Sequence, residues 1–187
     1  MNLTKNKIYL IFFILYLSLL FGFYFNEEFT LGYIRDYIAH KTLVNRLFNE
    51  NILEGFLNYD TYYVPHSPVF VLYFTTIENV FNNEILSRLF NLHLCLLIPL
   101  FLFKSLKIKY NFNENSIKNL LPAVVFFSPY FRGGSIWMDD NIFAIIFLVI
   151  FFYFFVKYEK DSSKKITNIF FNTLFLAISS YFRPIYA

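Results

Sequence analysis

Long apolar runs are the feature of this sequence that most limits what it can fold into. Ile8 to Phe25, Ile85 to Phe103 and Ile142 to Val156 carry almost no charge and approach the ~20 residues with which a helix crosses ~30 Å of hydrocarbon. The composition, 57% hydrophobic and 24% aromatic against 16% charged, lies far from that of a soluble domain. We therefore predict an integral membrane protein made of helices.

Two further runs complete the predicted architecture. Ile166 to Phe182 is a candidate fifth span, and Leu120 to Phe131 is long enough for a third only if the helix begins near Ser116 and is tilted little. The expected fold is all-α and polytopic, with about five spans and, after the first span, an extracytoplasmic loop of short interfacial helices. Residues 1–187 form one membrane domain, expected to be the N-terminal part of a longer one.

The placement of charge predicts the orientation. The first run is followed by FYFNEEF and not by small residues of a cleavage site, so we interpret it as a retained anchor. In the five-span topology, ten of the eleven lysines lie on one side, and ten of the thirteen carboxylates lie on the other. Because cytoplasmic loops are rich in Lys and Arg, the N-terminus is predicted to be cytoplasmic and the acidic loops extracytoplasmic.

The polar interval from Asn26 to Phe74 is where chemistry is expected. Tyr33 to Leu47 suits a short helix in which Asp36 and His40, four residues apart, share one face. The next predicted helix, Pro68 to Phe81, has proline at its first position and would be about 21 Å long. It is too short to span and is expected at the interface.

The order of these pieces resembles the N-terminal half of GT-C membrane glycosyltransferases, which include protein O-mannosyltransferase-like and aminoarabinose transferase-like enzymes. The resemblance covers nearly all of the chain. An anchor helix and an acidic outer loop come first, followed by Pro65-His66-Ser67-Pro68, which opens a helix, and by Arg88-Leu89 near the outer end of a span. Ser128-Pro129 then precedes the acidic pair Asp139-Asp140, which opens another span.

The resemblance implies transfer of a sugar from a polyprenyl-phosphate-linked donor to an acceptor hydroxyl on the outer face of the membrane. Asp36 would be the general base, with Glu28 as the alternative, because Asp36 here lacks the adjacent acidic residue of many relatives. Arg35 and other arginines would meet the departing lipid phosphate. The further substrate-binding candidates are His40, His66, Arg88, Arg132, Asp139, Asp140 and Arg183.

Each candidate also has a structural interpretation. Asp36 can pair at the interface with Arg35 or His40, and one carboxylate of Asp139-Asp140 can complement the dipole of the helix that follows. His66 can face lipid headgroups, and Arg183 can extend to the membrane surface.

Other functions remain open. A lipid-linked oligosaccharide polymerase or flippase, a transporter fragment, and an inactive truncated remnant would share many of these features. The sequence has no phosphate-binding glycine loop, no nucleophile elbow, no zinc spacing and no nucleic-acid signature. Two carboxylates without well-spaced histidines do not make a metal site, so no cofactor is expected; a divalent ion held with the help of Asp139-Asp140 is the open alternative. The expected partners are the bilayer, the lipid-linked sugar donor and a glycan, lipid or protein acceptor.

Overall fold

The protein is described by a computed structural model for residues 5–28, 32–47, 52–57, 59, 67–113, 116–160 and 165–183. Within these ranges all regular elements are helical, as predicted. The helices are, in chain order, α1 (Lys5–Tyr24), α2 (Tyr33–Leu47), α3 (Ile52–Leu57), α4 (Pro68–Phe81), α5 (Glu84–Cys95), α6 (Leu97–Tyr110), a 3-10 helix (Ile117–Phe127), α7 (Pro129–Ile136), α8 (Asp140–Lys160) and α9 (Lys165–Phe182).

Three helical segments of the described part are long and apolar enough to cross a membrane. They are α1, the α5–α6 unit from Glu84 to Tyr110, and α8, and they correspond to the predicted first, second and fourth spans. The chain is thus a membrane protein by the length and composition of its helices. α9, the predicted fifth span, is less apolar because Asn168 and Asn172 lie in its first half.

The predicted third span has an unexpected geometry. The segment from Ile117 to Phe127 is a 3-10 helix, and α7 follows after Ser128. A 3-10 helix rises ~2.0 Å per residue, so 11 residues extend about 22 Å where an α-helix would extend about 16 Å. The tighter winding therefore lengthens the reach of a short apolar segment.

The second span is broken near its middle. α5 ends at Cys95 and α6 begins at Leu97, two residues before Pro99. Proline has no N–H to donate to the preceding turn, and its ring crowds the carbonyl four residues earlier. The break thus follows from Pro99, and it separates a polar half, which holds Arg88 and Asn91, from an apolar half.

The helices of the polar interval begin and end where the sequence predicts. α2 and α4 have the predicted bounds and pack against each other through aromatic contacts. Tyr37 and His40 of α2 are buried, and both rings lie against Phe74 of α4. The pair also packs against Trp137 and against Phe143 of α8.

The bundle has two chemically different ends. Side-chain contacts join Glu27 after α1 to Arg132 of α7, and Asp140 at the start of α8 to Arg183 after α9; we call this the acidic end. The opposite ends of the same helices carry the lysines, and we call them the lysine end. Its described lysines are Lys5, Lys7, Lys104, Lys107, Lys109, Lys118, Lys157, Lys160 and Lys165.

Candidate functional site

The acid pair Asp139-Asp140 is presented by a strained turn between α7 and α8. Met138 is fully buried in the left-handed region, with φ of 56°, a conformation that costs a non-glycine residue ~1 kcal/mol or more. The Asp139 amide donates to the Gly134 carbonyl oxygen at 3.0 Å, and the Asp139 carbonyl oxygen accepts from the Phe143 amide at 3.3 Å. The turn therefore sets Asp139 and Asp140 at the first turn of α8.

Asp139 is a buried carboxyl group whose protonation is easily changed. It is only 7% exposed. One oxygen accepts from Asn141 at 3.2 Å, and the other, Oδ2, has no hydrogen-bond partner in the described part of the chain. Burial, reinforced by the neighbouring Asp140 carboxylate, raises the pKa of Asp139 to about 6. A group of this kind can hold or release a proton near neutral pH.

Asp140 pairs with Arg183, which directly follows the end of α9. Its Oδ1 accepts from Arg183 Nη2 at 2.8 Å, and the Asp140 side chain is almost fully buried while that of Arg183 is 31% exposed. The Ser179 hydroxyl donates to the Ala144 carbonyl oxygen at 2.9 Å and fastens α9 to α8 just below this pair. Arg183 thus keeps an accessible cationic surface while one of its nitrogens binds Asp140.

Asp36 and Asp139 come from distant parts of the chain, and both carboxylates are close enough to Tyr33 to act on it electrostatically. Burial raises the pKa of Tyr33 to about 12, and the negative charges of Asp139 and Asp36 both contribute. The Tyr33 ring lies against α7 at Gly133, where an added Cβ would be 2.6 Å from the ring. α2 and the turn that carries Asp139 and Asp140 therefore lie at the same end of the bundle.

Of the two candidate bases, Asp36 is the available one. Its side chain is exposed and makes no hydrogen bond or ion pair within the described residues. Glu28 instead accepts a hydrogen bond from the Ile34 amide at 3.0 Å and so satisfies a free N–H in the first turn of α2. Glu28 has a capping role that accounts for its position.

The expectation that Asp36 and His40 share one face needs correction. The buried stripe of α2 is Tyr33, Tyr37 and His40, at spacings of four and three, and Asp36 lies beside it in the exposed part of the helix. The aromatic residues take the inward positions because their rings bury the larger apolar surface. His40 is enclosed by Phe70 and Phe74, and His66 lies outside the described residues.

Arg132 joins α1 to α7. Its Nε and Nη2 bind the two carboxylate oxygens of Glu27 at 2.6 and 2.5 Å, and Nη1 and Nη2 donate to the hydroxyl and carbonyl oxygens of Ser18. Gly22 makes room for this contact, because a Cβ there would overlap Glu27 Oε2. Four of the five N–H groups of the Arg132 guanidinium thus donate to protein oxygens.

Arg88 is also held within the protein. Nε donates to the Ile136 carbonyl oxygen at 3.1 Å and Nη2 donates to Asn26 Oδ1 at 2.9 Å. The guanidinium lies 3.6 Å from the ring centroid of Trp137, whose indole N–H donates to the Glu27 carbonyl oxygen at 3.1 Å. Arg88 thus supports the turn that leads to Asp139, and Arg35 and Arg183 are the predicted phosphate ligands that keep exposed surface.

Three residues that build this end of the bundle were not among the candidates predicted from the sequence. Glu27, Tyr33 and Trp137 have no catalytic signature, and they act through burial and hydrogen bonding. The available signals were indirect: Trp137 is the only tryptophan, and Gly22 interrupts an otherwise bulky apolar run. No group of three His, Cys, Asp or Glu side chains suited to a metal ion occurs among the residues that the structure describes.

Comparison of the chain with protein-family models, with curated proteins and with solved structures gives no match. The function is therefore argued from the site.

Proposed function

We propose that this protein is an integral membrane glycosyltransferase of the GT-C type. It would move a sugar from a polyprenyl-phosphate-linked donor to the hydroxyl group of a glycan, lipid or protein acceptor, on the extracytoplasmic side. The proposal rests on one observation above all. An exposed carboxylate, Asp36, and a buried acid pair, of which Asp140 binds Arg183, lie at the same end of a membrane-spanning bundle, and the charges of Asp36 and Asp139 both act on Tyr33.

Asp36 has the features that the base in this reaction needs. An alcohol is a weak nucleophile, and a carboxylate within hydrogen-bond distance accepts its proton while the new bond forms. The acceptor oxygen then bonds to the anomeric carbon of the sugar, and the bond from that carbon to the phosphate oxygen breaks. Asp36 keeps the proton, and the lipid phosphate leaves with the electron pair of the broken bond.

The departing phosphate needs positive charge nearby. Arg183 supports this role because part of its guanidinium is exposed while Asp140 fixes its position, and Arg35 is exposed one residue before Asp36. Arginine can offer two parallel N–H groups to phosphate oxygens. Arg88 and Arg132 are better explained as structural supports, since each guanidinium donates hydrogen bonds to protein oxygens that join separate helices or loops.

The separation of charge along the bundle supports the extracytoplasmic location. The described lysines, apart from Lys41, gather at the end opposite to Asp36 and Asp139, and cytoplasmic segments are the ones enriched in lysine. The orientation can be tested with introduced cysteines, because the single native cysteine, Cys95, is buried. In intact cells, a membrane-impermeant maleimide should label Glu54→Cys and should not label Lys160→Cys.

Activity is tested with the full-length protein in membranes and a panel of labelled polyprenyl-phosphate sugars. We expect transfer by the wild type, a loss of at least 100-fold in Asp36→Asn, and little change in Glu54→Gln, which alters another exposed carboxylate of the same loop. Full activity of Asp36→Asn would remove Asp36 as the base. If the wild type shows no transfer with any donor while folded and correctly oriented, the glycosyltransferase proposal is wrong.

A further inference from the structure

We propose that an anionic phospholipid occupies a groove between α1 and α6, with one acyl chain in the groove and its phosphate between Lys5 and Lys107. The groove has a volume of about 580 Å³ and lies between two of the three candidate spans, with the 3-10 helix at its back. This binding site is separate from the acidic end and does not depend on the proposed enzyme activity.

The lining of the groove suits a hydrocarbon chain. It is made of aromatic and aliphatic side chains, including Phe12 and Tyr16 of α1, Leu100 and Phe103 of α6, and Phe126 of the 3-10 helix. The polar group of Tyr16 is already used: its hydroxyl lies 2.8 Å from His93 Nε2. The other ring nitrogen of His93 lies 2.7 Å from the Leu89 carbonyl oxygen, so both polar groups are satisfied within the protein.

The volume of the groove distinguishes a lipid chain from a helix. A water molecule takes up ~30 Å³ in the liquid, and a methylene group is of similar size, so the groove has room for a chain of about 15 to 20 carbons. A spanning helix of 20 residues is ~10 Å wide and ~30 Å long and needs roughly 2,400 Å³. The groove is therefore too small to enclose another helix, and its volume matches one acyl chain.

The depth of the groove matches one leaflet. From Lys5 to Tyr16 the axis of α1 rises about 16 Å, which is half of the ~30 Å hydrocarbon thickness. Tyr16, hydrogen-bonded to His93, lines the inner end of the groove. A phospholipid chain from the leaflet at the lysine end thus fits the groove along its length, whereas a long polyprenyl chain would extend past its inner end.

The charges at the mouth of the groove select an anionic headgroup. Lys5 is one turn before Tyr9, with its Nζ 5.9 Å from that ring, and Lys107 is one turn after Phe103, on the same face of its helix. Tyr9 and Phe103 both line the groove. Each lysine near a membrane surface adds about fivefold to the binding of an anionic lipid (about 1 kcal/mol). Two lysines therefore predict a preference of 10- to 30-fold over a zwitterionic lipid.

Native mass spectrometry of the full chain, released from nanodiscs of equimolar phosphatidylglycerol and phosphatidylcholine, tests the proposal. We expect one retained phosphatidylglycerol per chain. Leu100→Trp fills the groove and should abolish retention, whereas Leu17→Trp, at a similarly exposed site of α1 outside the groove lining, should not.

A variant that removes only the two lysine charges tests the proposal even if Leu100→Trp fails to fold. Lys5→Gln with Lys107→Gln changes only exposed side chains and should reduce the preference for phosphatidylglycerol at least tenfold. Lys160→Gln with Lys165→Gln, at the same end on α8 and α9, is the matched control. Absence of retained lipid in the wild type, equal retention of both lipids, or a groove occupied by a second copy of the chain would each overturn the proposal.

Discussion

Replacement of Arg132 by methionine should destabilise the protein much more than loss of an exposed ion pair. The guanidinium binds both oxygens of Glu27 and two oxygen atoms of Ser18. The two charged side chains are only 13% and 17% exposed. Methionine keeps much of the length of the side chain, but it leaves the Glu27 carboxylate without its cation.

The size of the effect follows from this partial burial. Hydrogen bonds to charged groups contribute ~1.5–3 kcal/mol each, and removal of one partner from a fully buried ion pair costs ~3–5 kcal/mol. Because some solvent reaches both side chains, we expect Arg132→Met to lower the free energy of unfolding by about 2–4 kcal/mol. Glu27→Gln keeps one acceptor oxygen and should cost about half as much. The double variant should cost less than the sum, because the two side chains share one interaction.

The assay is reversible unfolding of the purified protein in mixed micelles, followed by circular dichroism. Lys41→Met is the matched control, because the Lys41 and Glu84 side chains form an ion pair of 2.8 Å at 40% and 43% exposure. An exposed pair is worth ~0–1 kcal/mol, so the control should be close to the wild type. An Arg132→Met variant no less stable than Lys41→Met would refute the reasoning.

Three further predictions concern the candidate site. The pKa of Asp139 is raised to about 6 in the folded protein, so the folded state binds the proton more tightly than the unfolded state does. This stabilises the fold by at most about 3 kcal/mol at pH below the ordinary pKa of the carboxyl group, and the stabilisation is lost as the pH rises through 6. Unfolding measured from pH 4 to 8 should show this loss in the wild type and not in Asp139→Asn. Gly133→Ala should lower the free energy of unfolding by about 1–2 kcal/mol, since the new Cβ would lie 2.6 Å from the Tyr33 ring. If Gly133→Ala costs the same in a protein that already carries Tyr33→Ala, the clash with the ring is not the reason. Arg88→Met should make the fluorescence of Trp137, the only tryptophan, more accessible to acrylamide, because the guanidinium covers the ring; unchanged quenching would show that another group shields it.

The helical fold could be predicted because hydropathy and helix signals agree along most of the chain. The spans of α1, α5–α6 and α8 follow from apolar length alone, and Pro68 marks the start of α4 as expected. The 3-10 helix could not be predicted, because an apolar segment such as Ile117–Phe127 has the same composition whether it winds with three or with 3.6 residues per turn. Its conformation is decided by packing against α1 and α6.

The site was predictable by residue type and not by role. Charged side chains in an apolar chain must lie near the ends of the helices, so Asp36, Asp139 and Arg183 were recognisable as candidates. Contacts between residues far apart in the sequence then determine which of these charged side chains are paired within the protein. The contact of Arg132 with Glu27 joins residues 105 positions apart, and no local pattern indicates it.

The rings between α8 and α9 bear on how the bundle is assembled. Phe147 stacks on Phe182 and Phe175, and Phe154 stacks on Phe175 and Phe171. All of these contacts join α8 and α9, which are neighbours in the chain and run antiparallel. The hairpin can therefore form before other parts of the chain pack against it. We expect this hairpin to form early during membrane insertion, with little loop-closure entropy to overcome. Docking of α1, which is synthesised first, against the 3-10 helix and α7 would then complete the bundle beside this aromatic hairpin.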